Sequence, residues 1–138
     1  DYKSQQEYHP ILPIEYYENA IRHILSVRLN CKILYFCQKE DDEVVENKVD
    51  YLRSKFPLQF VKVHDVIADW KRILIMSCCR DNIISNGTFS WWSAYFNENP
   101  DKIVCYPDIW FGPSLNHDTK DLFPDSWEKI SCQKSIPN

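Results

Sequence analysis

Hydrophobic and polar positions along the chain change period several times, and each change marks an element. Pro13, followed by Glu15 and Glu18, reads as a helix start. Ile14, Tyr17, Ile21 and Ile24 then share one face while Arg22 and His23 turn away, so the spacing predicts a helix over 14–29. The apolar run KILYFC at 32–37 has strand character. Asp41 and Asp42 open a second helix with the stripe Val45, Val49, Leu52, Phe56. Its late Lys48, Arg53 and Lys55 suit the negative end of the dipole, and Pro57 ends it. QFVKV at 59–63 alternates as a strand. Trp70, Ile73, Leu74 and Ser77 are in phase in a third helix over 67–79, and NIIS at 82–85 is a strand. A fourth helix covers 89–97, with Phe89, Trp92 and Phe96 as its expected core face and Ser90, Ser93 and Asn97 as its polar face. KIVCY at 102–106 is the last expected strand. From Pro107 the pattern is irregular, and Trp110, Phe111, Leu122, Phe123 and Trp127 are expected to fold back onto the domain.

Helix and strand therefore alternate four times. That order predicts an α/β fold: a Rossmann-like three-layer α/β/α arrangement, with a parallel sheet of about four strands joined by right-handed crossovers. The 138 residues suit one domain, with a lead-in at 1–13 and a tail at 107–138. In such a sheet a ligand sits beyond the carboxyl ends of the strands. Four segments fall there: Gln38-Lys39, His64-Asp65, Ser85-Asn86-Gly87-Thr88 and Tyr106-Pro107-Asp108. The third is a strand, a turn and a helix start in immediate succession. Free N–H groups and the hydroxyls of Thr88 and Ser90 would make it an anion site; the alternative is that Thr88 merely caps the helix. At His64-Asp65 a carboxylate is placed to accept from base or ribose donors, against the plainer reading of a solvated turn. Tyr17 is expected in the core and Tyr16 beside a groove.

Composition narrows the chemistry. Lys and Arg total 16 and Asp and Glu 20, for a net charge of −4, which argues against nucleic acid as a partner. The longest aliphatic stretch, Ile73 to Met76, is far shorter than the roughly 20 residues of a membrane span. With no starting Met and no basic-then-apolar leader, the text reads as a piece of a longer chain. Only two glycines occur, Gly87 and Gly112, which excludes the glycine-rich phosphate loops. The six cysteines form no C-x-x-C, the histidines no H-x-x-x-H, and there is no D-x-D, so no metal site is expected. Reduced, cytoplasmic-type thiols are favoured over disulfides, with the Golgi lumen as the setting if the parent chain is membrane-anchored. Asn86-Gly87-Thr88 is also a glycosylation sequon, read as unmodified because a glycan there would block the crevice.

The stretch from Met76 to Ala94, MSCCRDNIISNGTFSWWSA, resembles the signature of the family 11 glycosyltransferases, close to M-S-x-C-x-x-N-I-I-S-N-S-T-F-S-W-W-G-A. Lys102-Ile103-Val104 and Pro107-x-x-Trp110-Phe111 resemble the strand and loop that follow it. His9-Pro10, Glu15-Tyr16-Tyr17 and Ala20-Ile21 resemble the region after H-x-R-x-G-D-Y, of which Asp1-Tyr2 would be the end. The likeness covers about residues 1–130. It implies one lobe of a two-lobed, B-type glycosyltransferase: the carboxyl-terminal lobe, which holds a GDP-fucose donor. It further implies inverting transfer to a sugar hydroxyl of a glycan acceptor, as in α-1,2-fucosyltransferases, with no cofactor and no metal. Ser85, Asn86, Gly87, Thr88, Phe89 and Ser90 would then line the donor's diphosphate and sugar, with His64 and Asp65 near the base or ribose. The upstream lobe of the same chain would be a partner.

The sequence departs from that pattern in places. The histidine, arginine and glycine of H-x-R-x-G-D-Y are absent, F-S-D-D reads Phe36-Cys37-Gln38-Lys39, and Arg72 replaces an acidic residue, with Asp69 one turn earlier. Gly87 stands for Ser and Ser93 for Gly. A second reading, a non-catalytic nucleotide-sugar or glycan-binding domain on the same fold, draws on these departures.

Overall fold

The computed structural model describes residues 12–64, 66–111, 119 and 121–135. Four helices and five strands alternate through most of this length. Helix α1 is Ile14–Val27, α2 Asp42–Lys55, α3 Asp69–Ser77 and α4 Thr88–Tyr95. The strands are β1 Lys32–Tyr35, β2 Gln59–Lys62, β3 Asn82–Ile83, β4 Val104–Pro107 and β5 Glu128–Ile130. A short 3-10 turn, Lys39–Asp41, leads into α2. Every strand pair is parallel, as the alternation predicts.

The expected single sheet of about four strands is corrected to two small ones. β1 pairs with β2, and β4 lies between β3 and β5. The strand β5 falls inside the tail read as irregular; its Cys105–Glu128 and Pro107–Ile130 register adds an edge that no hydrophobic alternation announced. Between β1 and β3 the contact is made by side chains rather than a ladder: Ile33, Tyr35 and Ile83 pack on the same core of Ile21, Val49, Leu52, Phe56 and Phe60.

β3 is shorter than the predicted 82–85 for a reason that can be located. Asn82 N–H donates to Ile103 O and Ile84 N–H to Cys105 O, both 2.9 Å, as a parallel ladder requires. The next bond would come from the N–H of residue 107, which is a proline and has none. The hydroxyl of Tyr16 donates to Ile84 O instead, at 2.5 Å, and lies 3.1 Å from Cys105 O. Tyr16, expected beside a groove, is thus fully buried between α1 and the strands, while Tyr17 is half-buried. Burial pushes the Tyr16 hydroxyl well above its ordinary pKa, so it keeps the proton it donates.

Helices lie on both faces of the β3-β4-β5 sheet. Neighbouring residues of β4 show this: Cys105 packs with Tyr16, Ala20 and Ile24 of α1, whereas Val104 packs with Ile84, Ala94, Trp110 and Trp127. Phe111, Leu122 and Phe123 cover that second cluster, and the Trp91 indole Nε1–H donates to Leu122 O at 3.0 Å. At the opposite end of the strands, Arg28 clamps Asp81 through two bonds of 3.0 and 2.8 Å. Asp81 also accepts from Ile103 N–H at 2.9 Å, which fixes α1 to the starts of β3 and β4.

The faces of α3 and α4 are the largest corrections. In α4, Ser90, Ser93, Ala94 and Asn97 just beyond it are buried, and Trp92, Tyr95 and Phe96 are about half exposed. This reverses the sequence expectation, and the reason is that every buried polar group of the helix has an internal acceptor or donor. Ser93 Oγ bonds Phe89 O at 2.9 Å, and Asn97 Nδ2 bonds Cys79 O and Asn82 Oδ1 at 2.9 and 2.8 Å. A satisfied small polar side chain can be buried at little cost and lets the backbones approach closely. In α3 the buried residues are Arg72 and Met76, while Trp70 and Leu74 are exposed.

Candidate functional site

The carboxyl ends of β1, β2 and β3 carry the predicted site segments. Ser85 to Gly87 form the turn after β3, and α4 opens directly behind it. The N-cap is Gly87, in extended backbone with φ −148° and ψ 159°, and no side chain caps the helix. Thr88 is therefore the first helical residue rather than a cap, and its side chain is exposed. The first intrahelical bond runs from Trp91 N to Gly87 O at 3.2 Å. The N–H groups of Thr88, Phe89 and Ser90 precede it and converge at the positive end of the dipole.

Asn86 and Ser90 face inward. Asn86 is 2 % exposed, and its amide donates to Trp110 O at 3.3 Å. An asparagine so placed does not offer its amide to a glycosylating enzyme in the folded state. Ser90 is 6 % exposed, and its Oγ accepts from Ser85 N–H at 3.1 Å and lies 3.2 Å from Ser85 Oγ. These two side chains hold the turn in shape. Thr88 is exposed at this helix start, whose first N–H groups have no side-chain cap. An added Cβ at Gly87 meets nothing within 4 Å, so the turn has open space in front of it and does not require glycine.

His64 is exposed in the loop after β2, and Asp65 lies outside the described residues. The neighbouring end of β2 brings one cation, and it is paired. Lys62 Nζ bonds Asp42 Oδ1 at 2.7 Å, and that bond, with the Cys37 thiol 3.2 Å away, holds the Asp42 carboxyl below its usual range. Burial, then the hydrogen bond to Asp42, pushes the Cys37 thiol up to about 11. Burial likewise raises Cys105 and Cys132 to about 12. All six cysteines are free thiols, and Cys78 is the exposed one.

Sequence reasoning missed Arg72 as part of this region. In sequence it stands only as a departure from the family pattern, yet its side chain contacts the segment after β1 and the start of α4. The open cleft among Ser77, Arg80, Phe96 and Asn97 lies at the other end of α3 and α4, away from the strand carboxyl ends. Among the described residues, no helix is long and apolar enough to cross a membrane.

The class defined by these features is an α/β protein with parallel strands whose β3 carboxyl end feeds an uncapped helix start. The chain belongs to glycosyl transferase family 11, whose sequence pattern matches residues 2–130. It is 36% identical over 123 residues to an O-antigen biosynthesis glycosyltransferase, WbnK, of Escherichia coli, an alignment covering 88% of this chain and 37% of that protein. It is 27% identical over 141 residues to an alpha-1,2-colitosyltransferase of Escherichia coli, covering 94% of this chain and 44% of that one. The chain thus spans less than half the length of these relatives. No solved structure matches it.

Proposed function

We propose that this chain is the donor-binding lobe of an inverting, metal-independent glycosyltransferase that moves fucose from GDP-fucose to a sugar hydroxyl of a glycan. The observation that carries the reading is the uncapped start of α4, set at the carboxyl end of β3 inside the stretch most like family 11. In such a transfer the acceptor oxygen attacks the anomeric carbon from the face opposite the leaving group. The bond to the diphosphate breaks, charge builds on the departing phosphate oxygen, and the acceptor proton is lost to a base or to water. Preorganised donors aimed at that oxygen lower the barrier without reorganising during the step. The N–H groups of Thr88 to Ser90 and the Thr88 hydroxyl are the donors this chain offers. Asn86 and Ser90, bonded inward, keep them aimed. His64 and Asp65 belong to the base or ribose end of the donor. No cofactor is called for, since GDP-fucose is a substrate.

The lobe does not act alone in this reading. An upstream lobe supplies the arginine of the H-x-R-x-G-D-Y motif, and residues 1–138 by themselves transfer little or no fucose. A hydroxyl bonded to a charged phosphate contributes roughly 1.5–3 kcal/mol. Thr88→Ala in the full protein should therefore weaken GDP-fucose binding by roughly 10- to 100-fold. Calorimetric titration with GDP-fucose, run beside a thermal melt, tests this. Unchanged affinity with a lowered melting temperature would leave Thr88 a structural residue and remove the assignment.

A further inference from the structure

Arg72 is the most deeply buried charged side chain among the described residues, at 3 % exposure. It projects from the first turn of α3, with its guanidinium between two aromatic rings, 5.9 Å from the centre of Phe36 and 5.7 Å from that of Phe89. Nη2 donates to the Cys37 carbonyl at 3.1 Å. Nη1 is 3.6 Å from Oδ1 of Asp69, whose side chain is 76 % exposed. Nε is buried with no acceptor.

A guanidinium carries five N–H donors and a positive charge. Here it has one carbonyl and one long contact to a carboxylate that water screens. Buried charge of this kind is normally matched by a buried counter-ion. The surroundings supply the opposite. The N-caps of α3 and α4 are Ala68 and Gly87, and neither helix has a side-chain cap. Phe89, whose ring centre is 5.7 Å from the Arg72 guanidinium, is in the first turn of α4. Two positive helix ends and one under-compensated cation therefore meet at the carboxyl edge of the strands, where an anion would complete the balance.

We infer that Arg72 is a positioning residue for the diphosphate of the nucleotide-sugar donor. From behind Phe89 it adds a poorly screened positive charge to the start of α4, and through Cys37 O it locks the end of β1 against that helix. This rests on the reading that the 85–90 turn holds the diphosphate. It also gives the lobe a cation of its own at the place where it otherwise relies on backbone dipoles.

The test is titration of the full protein with GDP at low and high salt, comparing wild type with Arg72→Gln, Arg72→Lys, Asp69→Asn and Thr88→Ala. Loss of the charge should weaken GDP by about tenfold or more at both salt concentrations, because salt screens a buried charge little. Arg72→Lys should recover most of the affinity. Asp69→Asn, at an exposed site that tolerates change, should tighten GDP by about twofold by removing the competing carboxylate. A purely structural arginine would lower the melting temperature in Gln and Lys variants alike and leave the GDP affinity of the folded variants unchanged at both salt concentrations, which would overturn the inference. Should Arg72→Gln fail to fold, unchanged or weakened binding in Asp69→Asn would also overturn it. If Thr88→Ala weakens GDP and Arg72→Gln does not, only this inference fails. If neither weakens it, the turn itself is not the anion site.

Discussion

Replacing Tyr16 by Phe isolates one hydrogen bond that the fold uses in place of a strand ladder. The ring is fully buried, and Phe keeps its packing, so no sizeable cavity forms. What is lost is the hydroxyl at 2.5 Å from Ile84 O and 3.1 Å from Cys105 O. Cys105 O keeps the Ile84 N–H at 2.9 Å. Ile84 O keeps nothing, because residue 107 is a proline, and Ile84 is itself fully buried. An acceptor stranded in this way costs about 1–3 kcal/mol. In urea that is a midpoint shift of about 1 M, at unchanged slope, for a slope of about 1–3 kcal/mol/M. Tyr51→Phe is the control: Tyr51 is 40 % exposed and donates to Glu18 at 3.3 Å, so its loss should cost less than about 0.5 kcal/mol. Pro107→Ala restores an N–H to the ladder. It should be better tolerated in the Tyr16→Phe background than in wild type, with a coupling of at least about 0.5 kcal/mol. Equal stability of Tyr16→Phe and wild type, or equal cost of Pro107→Ala in both backgrounds, would refute the substitution of hydroxyl for proline N–H.

Ser93 has no exposed surface, so Ser93→Leu should overpack α4 and cost about 1–3 kcal/mol, whereas Phe96→Ser, at a half-exposed position, should cost about 1 kcal/mol or less by denaturant titration. Burial raises the Asp81 carboxyl, but the Arg28 hydrogen bonds, the Ile103 N–H and the nearby Arg28 and Arg80 charges outweigh it and set its folded pKa low. Its contribution is therefore present above the unfolded value of about 3.9 and lost as pH falls through the lower folded value, so urea midpoints should drop below about pH 4 and Asp81→Asn should flatten that drop. Cys78 should react first with a thiol reagent on the native protein, and Cys37, Cys105 and Cys132 only on unfolding, as mass spectrometry of the labelled peptides would show.

The alternating order of elements was legible because the hydrophobic period changes cleanly at Lys32, Gln59, Asn82 and Lys102. The stripe Val49, Leu52, Phe56 on α2 was legible for the same reason. The face of α4 was not, because its sequence places aromatics on one side and small polar residues on the other, and hydropathy alone ranks the aromatics as core. What decides the matter is whether Ser90, Ser93 and Asn97 find partners, and those partners lie at Ser85, Phe89, Cys79 and Asn82 in the folded chain. β5 was missed because its three residues, Glu128 to Ile130, carry no alternation long enough to read. The turn at 85–90 was legible as a strand end feeding a helix start. The inward aim of Asn86 and Ser90, and the clamp of Arg72 between Phe36 and Phe89, depend on contacts that no local pattern encodes.

Gly87→Asp puts a carboxylate where the start of α4 is proposed to receive the donor's diphosphate. Open space in front of Gly87 lets the side chain in without a clash, and a carboxylate at an N-cap stabilises a helix by about 0.3–1 kcal/mol. The same carboxylate would occupy the N–H donors and repel the phosphates. Calorimetric titration of the full protein with GDP-fucose should show affinity falling by at least about tenfold while the melting temperature holds or rises. Unchanged affinity in a folded Gly87→Asp protein would mean that the donor's diphosphate does not sit at this helix start.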